Sequence, residues 1–188
     1  MRQITFLWFW DVCWDNTRAW TIIFSIFVPI VAIFVCIEIF EFLNIKKVSS
    51  FSTLSAVFTT LIICECILKP IFDIGPFEDS CTFMPSNPSS TISIASTMTS
   101  IYALRLLNDK QFIHKLFLWG ISLALAMISF PILHYFSWIN GVISIVPGAL
   151  IGILWTLVFE KNLRGKLGES LSSNLSLSND FSQIIHQQ

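Results

Sequence analysis

Charged residues are scarce in this chain. Asp, Glu, Lys and Arg make up 12% of its 188 residues, whereas about 25% is usual for a soluble domain. Hydrophobic residues make up 54%, and Phe alone occurs 18 times. This composition excludes an ordinary soluble domain and predicts an integral membrane protein. The net charge of -1 gives no indication of a nucleic-acid partner, and we expect none.

Signals for secretion and for metal binding are also missing. The first apolar run is short, Asp11 ends it, and no small-residue cleavage site follows, so we do not expect a secretory signal. The cysteines, at positions 13, 36, 64, 66 and 81, lack a zinc-ligand spacing, so we expect no metal site and no other cofactor. Cys64 and Cys66 lie in an apolar run and are interpreted as buried small hydrophobic residues. Cys13 and Cys81 are expected on the same side of the membrane, and whether they pair is open.

Five segments have, or nearly have, the roughly 20 apolar residues that a membrane-spanning helix needs. They are residues 19–42, 54–72, 90–107, 112–133 and 139–159. We therefore predict an all-α fold, a polytopic membrane bundle of about five transmembrane helices within residues 19–165. The Trp-rich segment 1–18 is interpreted as lying at the membrane interface. The low-complexity segment 166–188 is predicted to be a disordered cytosolic tail.

The third segment is diluted by hydroxyl residues, namely Ser93, Ser96, Thr97, Thr99 and Ser100. Small hydroxyl residues suit a helix that packs against other helices rather than against lipid. We therefore predict that this helix lies inside the bundle.

Basic residues are concentrated in connections that share one side of a five-span bundle. They are Lys46, Lys47, Arg105, Lys110, Lys115, Lys161, Arg164 and Lys166. The excess of Lys and Arg in cytoplasmic connections predicts that this side and the C-terminus are cytosolic. The connections 73–89 and 134–138 are then predicted to face the lumen or the exterior.

Short motifs occur in a fixed order in these two connections and in the end of the fourth segment, which precedes the second connection. Residues 84–89 read Met-Pro-Ser-Asn-Pro-Ser, residues 129–140 read Ser-Phe-Pro-Ile-Leu-His-Tyr-Phe-Ser-Trp-Ile-Asn, and a glycine-rich segment follows. The set resembles the type 2 phosphatidic acid phosphatase superfamily, and within it the dolichyl diphosphatase branch, over roughly residues 5–165. The superfamily motifs are Lys, six residues, Arg-Pro; then Pro-Ser-x-His; then Ser-Arg, five residues, His, three residues, Asp.

The resemblance assigns motif positions, but other residues occupy them. Gly75 stands where the first-motif Arg belongs, Pro88 where the second-motif His belongs, and Phe130, Phe136 and Asn140 where the third-motif Arg, His and Asp belong. In the family the third-motif His attacks phosphorus, the second-motif His handles the leaving-group proton, and the basic residues clamp the phosphoryl oxygens. The resemblance therefore implies a lipid-phosphatase-like fold in which no catalytic residue is intact.

Some polar residues near these positions remain candidates for function. His134 is the one candidate for a replacement nucleophile; alternatively, its ring lies at the headgroup level. Lys69 lies one residue too close to be the motif lysine, but with Ser86, Ser89 and Ser90 it forms a candidate phosphate-binding set at a helix N-terminus. The alternative for these serines is helix capping alone.

Glu65 and Lys69 share one face of the second segment, because they lie four residues apart, and they can form an ion pair. Such a pair inside a membrane segment is either functional or a structural pair near the interface.

Three functions stay open at this point. The first is a catalytically inactive, dolichyl diphosphatase-like protein of the endoplasmic reticulum membrane that keeps a groove for a dolichyl or other polyprenyl phosphate. The second is an active lipid-phosphate phosphatase with a rewired site. The third is a non-enzymatic membrane adaptor whose motif match is accidental. The expected partner is a membrane lipid, and the sequence identifies no protein partner.

Overall fold

The protein is mainly helical, as predicted. A computed structural model describes residues 2–5, 11–14, 23, 29–45, 48–72, 88–132, 138–160 and 162. The segment 166–188, predicted to be a tail, lies outside these residues.

Five helical segments follow one another along the described chain, and they are labelled α1 to α5. Helix α1 is Ile30–Ile45, and α3 is Ser90–Asn108. Helix α2 covers residues 48–72 and consists of Val48–Ile62, a π-helical turn Ile63–Leu68 and a last turn Lys69–Phe72. Helix α4 is Ile113–Ile132, preceded by a 3-10 turn Lys110–Phe112, and α5 is Trp138–Leu154, continued by a π-helical turn Trp155–Glu160. The short connection between α3 and α4 makes these two helices antiparallel. Helices α3 and α5 run parallel, since Ser93 contacts Ser144 and Thr97 contacts Gly148. One end of the bundle therefore gathers the ends of α2 and α4 and the starts of α3 and α5, and it is called the motif end below.

Three helical stretches are long and apolar enough to cross a membrane. They are Ser50–Ile71, Lys110–Ile132 and Trp138–Phe159. The described part of α1 has 16 residues and is too short by this measure, and α3 is too rich in hydroxyl groups. The helical class is therefore confirmed, whereas a membrane crossing by α1 and α3 stays a prediction.

The N-terminal segment contains two short strands that the sequence did not predict. Strand β1 (Arg2–Thr5) pairs antiparallel with β2 (Asp11–Trp14), with Arg2 opposite Trp14. Both strands include residues that favour extended structure, such as Ile4 and Val12. The expected position of this segment at a membrane interface stays a prediction.

Helix α3 is the centre of the bundle and packs against each of the other four helices. Every residue from Ser90 to Met98 is buried, so the prediction that this hydroxyl-rich helix lies inside the bundle is confirmed. One side of α3 joins an apolar core with α1, α2 and α4, made of Val31, Val57, Ile94, Ala95, Met98, Tyr102 and Trp119. The outer faces of the other helices are apolar and exposed, as at Phe40, Phe117 and Leu150, which is typical of helices surrounded by lipid.

The contact between α3 and α5 combines small residues with hydrogen bonds to the backbone. Ser93 Oγ donates to the Ser144 carbonyl at 2.8 Å, and Ser96 Oγ donates to the Ile145 carbonyl at 2.9 Å. Thr97 Oγ1 donates to the Gly148 carbonyl at 2.9 Å. Glycine on α5 permits this approach, because small residues allow two membrane helices to pack with their backbones close together.

We expect Gly148→Ala and Gly152→Ala to lower the free energy of unfolding by about 1 to 3 kcal/mol each, because overpacking forces the two helices apart. A Cβ on Gly148 would overlap the Ser93 carbonyl, and one on Gly152 would lie 2.6 Å from the Thr97 carbonyl oxygen. Thermal unfolding in detergent micelles measures the effect.

The matched control is Gly120→Ala, because a Cβ at Gly120 meets no atom within 4 Å. Alanine also favours a helix over glycine, so this variant should be at least as stable as the wild type. Equal midpoints for the three variants would contradict the close approach of α3 and α5.

Candidate functional site

The polar cluster at the motif end joins α2 to the first turn of α3. Lys69 Nζ lies 2.7 Å from Glu65 Oε1, so the predicted pairing of these two residues is confirmed. Ser90 Oγ also donates to Glu65 Oε1. The Lys69 and Glu65 side chains are 17% and 31% exposed. A single carboxylate oxygen thus receives hydrogen bonds from a cation and a hydroxyl at the start of α3.

A π-helical turn positions the carboxylate of this cluster. Within Ile63–Leu68 the backbone makes wider turns, and the Lys69 N–H donates to the Cys64 carbonyl five residues earlier. Such turns are often found at functional sites. Cys64 is buried, as expected, but Cys66 is exposed, so the interpretation of Cys66 as buried was wrong. The physical reason is that residues two apart on a helix point in nearly opposite directions.

Ser89 caps α3 and links it to α5. Its hydroxyl accepts a hydrogen bond from the Ile92 N–H at 3.5 Å. Its own N–H donates to Ser144 Oγ at 2.8 Å, and Ser144 Oγ donates to the Asn140 carbonyl at 2.7 Å. The capping alternative is therefore realised at Ser89, whereas Ser90 bonds to Glu65 instead. Neither arrangement tests whether a phosphate binds.

The motif-equivalent residues that the structure describes all lie at the motif end. Pro88 is fully buried directly before α3, and Phe130 is buried near the end of α4. Asn140 lies in the first turn of α5 and is half-buried. The other predicted site residues, Gly75, Ser86, His134 and Phe136, lie outside the described residues. Cys81 does so too, and its pairing with Cys13 stays open.

A buried hydroxyl also lies at the motif end. The Ser129 side chain is fully buried near the end of α4, and its Oγ has no hydrogen-bond partner among the described residues.

The chemical capacity of the motif end follows from these groups. A lysine, two serine hydroxyls and the N-terminus of a 19-residue helix all attract anions. The base that Ser90 meets is a carboxylate, which is a much weaker proton acceptor than the histidine of usual nucleophile–base pairs. Within the described segments the one histidine is His114, at the other end of α4, and no group of three His, Cys, Asp or Glu residues suits a metal.

A second polar cluster lies at the opposite end of the bundle, and the sequence did not predict it. Tyr102 on α3 donates its hydroxyl hydrogen to Glu38 Oε1 at 2.7 Å, and Lys115 on α4 lies 3.1 Å from both Glu38 oxygens. Lys115 also pairs with Glu41. Glu38 is only 3% exposed. The cluster therefore ties α1 to α3 and α4 through one buried carboxylate.

Arg105 extends this second cluster toward α2. It is 2% exposed, its Nη1 donates to Thr53 Oγ1 at 2.8 Å, and its guanidinium lies over the rings of Tyr102 and Phe112. The sequence analysis assigned Arg105 and Lys115 to the connection between the third and fourth segments, and this was wrong, because Arg105 lies on α3 and Lys115 on α4. The sequence did contain a signal for this cluster, because the carboxylate of Glu38 lies within an apolar segment and a charge there needs a partner.

Comparisons of the chain with protein-family models, with curated proteins and with solved structures find no match. The likeness to lipid phosphatases therefore depends on the motifs quoted above and stays a prediction.

We expect Lys115→Met to lower the free energy of unfolding by about 3 kcal/mol, because Glu38 would stay buried without its cation. Denaturant unfolding in detergent micelles measures the change. Adding Glu38→Leu to this variant should recover part of the loss, since both charges are then removed together.

Lys110→Met is the control for this series, because Lys110 is exposed beside the same connection. We expect it to change stability by less than about 0.5 kcal/mol. A loss at Lys110 equal to that at Lys115 would contradict the role of the buried pair.

Proposed function

We propose that this chain is a catalytically inactive, dolichyl diphosphatase-like membrane protein with a site for the phosphate-bearing headgroup of a membrane lipid. The observation that carries the proposal is the gathering of Lys69, Ser89 and Ser90 at the start of α3. Ammonium and hydroxyl groups at the N-terminus of a helix are donors that proteins use for phosphate. The N–H groups of Ser89 and Ile92 are already bonded to serine hydroxyls, so Lys69 and the serine hydroxyls are the donors that support the proposal.

The loss of catalysis is supported by the residues at the motif-equivalent positions. Pro88 has no proton to give to a leaving group, and Phe130 places an apolar ring in packed surroundings where the family has a cation. Phe136 has no lone pair with which to attack phosphorus. Loss of a nucleophile costs on the order of a million-fold in rate, and the Ser90–Glu65 contact does not replace it.

The place of action follows from the resemblance and from the distribution of charge. We infer that the chain lies in the endoplasmic reticulum membrane with its motif end in the lumen and its C-terminus in the cytosol. The lipid would then be a dolichyl or other polyprenyl phosphate, of the kind that carries sugars for protein glycosylation. The three apolar helices support the membrane location, and the basic residues outside the buried clusters support the orientation.

We expect purified wild-type protein to release no phosphate from dolichyl diphosphate above background, because the family nucleophile is missing. A variant that restores the motif residues, with Gly75→Arg, Pro88→His, Phe130→Arg and Phe136→His, should gain activity. The matched control keeps Phe136 and carries the other three changes, and it should stay inactive. Each variant needs a monodisperse profile in detergent, because Pro88 and Phe130 are buried.

Two outcomes would contradict the proposal in different ways. Wild-type activity that disappears in His134→Ala or in Ser90→Ala would show a working phosphatase with a rewired site. No phosphate release by a folded variant with the restored motif residues would contradict the resemblance itself and favour a membrane adaptor.

A further inference from the structure

The site at the start of α3 already holds an anion, which is the side chain of Glu65. We propose that Glu65 is a built-in competitor for the lipid phosphate: its carboxylate holds Lys69 and Ser90, and a phosphate group binds there only when Glu65 has moved away. This inference rests on the proposed function, because it concerns the regulation of the same site.

The donors around Glu65 are those that a phosphate oxygen would use. Glu65 Oε1 accepts from Lys69 Nζ at 2.7 Å and from Ser90 Oγ as well. A carboxylate oxygen and a phosphate oxygen can each accept a charge-assisted hydrogen bond from the same donor, so they compete for Lys69 and Ser90. Two anions at contact distance also repel strongly near an apolar environment. Glu65 and a phosphate therefore exclude each other at Lys69.

The position of Glu65 allows it to leave. Its side chain is 31% exposed, so it lies at the rim of the bundle rather than in the core. It belongs to the π-helical turn Ile63–Leu68, and such turns interrupt the regular hydrogen bonding of a helix. By contrast, the carboxylate of Glu38 at the opposite end is buried. The carboxylates of Glu65 and Glu38 thus differ in their freedom to move.

A buried hydroxyl also lies near the end of α4, at the same end of the bundle. Ser129 Oγ is fully buried and has no hydrogen-bond partner among the described residues. A phosphate has more acceptor oxygens than a carboxylate, so it can accept hydrogen bonds from Lys69 and Ser90 and still have oxygens for further donors.

The test compares phosphate binding by wild-type protein and by Glu65→Gln in detergent micelles, by isothermal titration calorimetry. The probes are inorganic phosphate and a short-chain phosphatidic acid, with short-chain phosphatidylcholine as the neutral-headgroup control. Glutamine keeps the size of the side chain and removes its charge. We expect Glu65→Gln to bind phosphate or phosphatidic acid at least about tenfold more tightly than the wild type, because one like charge is gone.

Two further variants make the result specific. Glu41→Gln is the matched control, because Glu41 also pairs with a lysine but lies at the opposite end of the bundle; it should not change binding. Adding Lys69→Ala to Glu65→Gln should abolish the gain, because Lys69 is the released cation. A gain with both phosphate probes shows that phosphate alone is recognised, and a gain with phosphatidic acid alone shows that the lipid part contributes; both outcomes support the proposal.

Equal affinity of wild type and Glu65→Gln, with both proteins monodisperse, would overturn the competition. A gain that survives Lys69→Ala would overturn it as well. Failure of the proposed inactivity is a separate result, because it appears as phosphate release from dolichyl diphosphate and not as a change in binding.

Discussion

The rest of the structure depends on how α3 satisfies its hydroxyl groups. A helix with this many serine and threonine residues is a poor surface for lipid, so its place is among other helices. Three of its hydroxyls bond to α5 carbonyls, and Thr60 on α2 lies 3.0 Å from Thr97, hydroxyl to hydroxyl. This requirement fixes α3 in the centre, and the more apolar helices then surround it with their exposed apolar faces outward.

Each end of α3 is held by a carboxylate from a neighbouring helix. At its start Glu65 of α2 bonds to Ser90, and near its end Glu38 of α1 bonds to Tyr102. The two contacts differ in burial, since Glu65 is partly exposed and Glu38 is nearly inaccessible. A buried charge with partners on two helices acts as a structural tie, whereas a charge at the rim is able to exchange partners. The same kind of contact therefore has two different consequences along one helix.

Sequence reasoning succeeded where the cause was local. The length of the apolar segments located the helices, the hydroxyl content of α3 placed it in the interior, and the spacing of Glu65 and Lys69 gave their pairing. It failed where the cause was a contact between distant segments. Nothing near Glu38 in the chain reveals that Tyr102 and Lys115 will reach it, because those partners lie 64 and 77 residues away. The exposure of Cys66 was missed for a related reason, since a continuous apolar run hides which side of a helix meets its neighbours.

The seam between α3 and α5 has a consequence for how the chain is assembled in a membrane. Ser93 bonds to a carbonyl 51 residues later in the chain, and the ribosome makes α5 only after α4. While α5 is absent, Ser93 and Ser96 lack these carbonyl partners, whereas Thr97 and Thr99 still bond to carbonyls of their own helix. If α3 crosses a membrane, as the sequence predicts, its serines would meet lipid without their partners until α4 and α5 have been made. The hydroxyl groups that join the finished bundle would then make the insertion of α3 dependent on the order of synthesis.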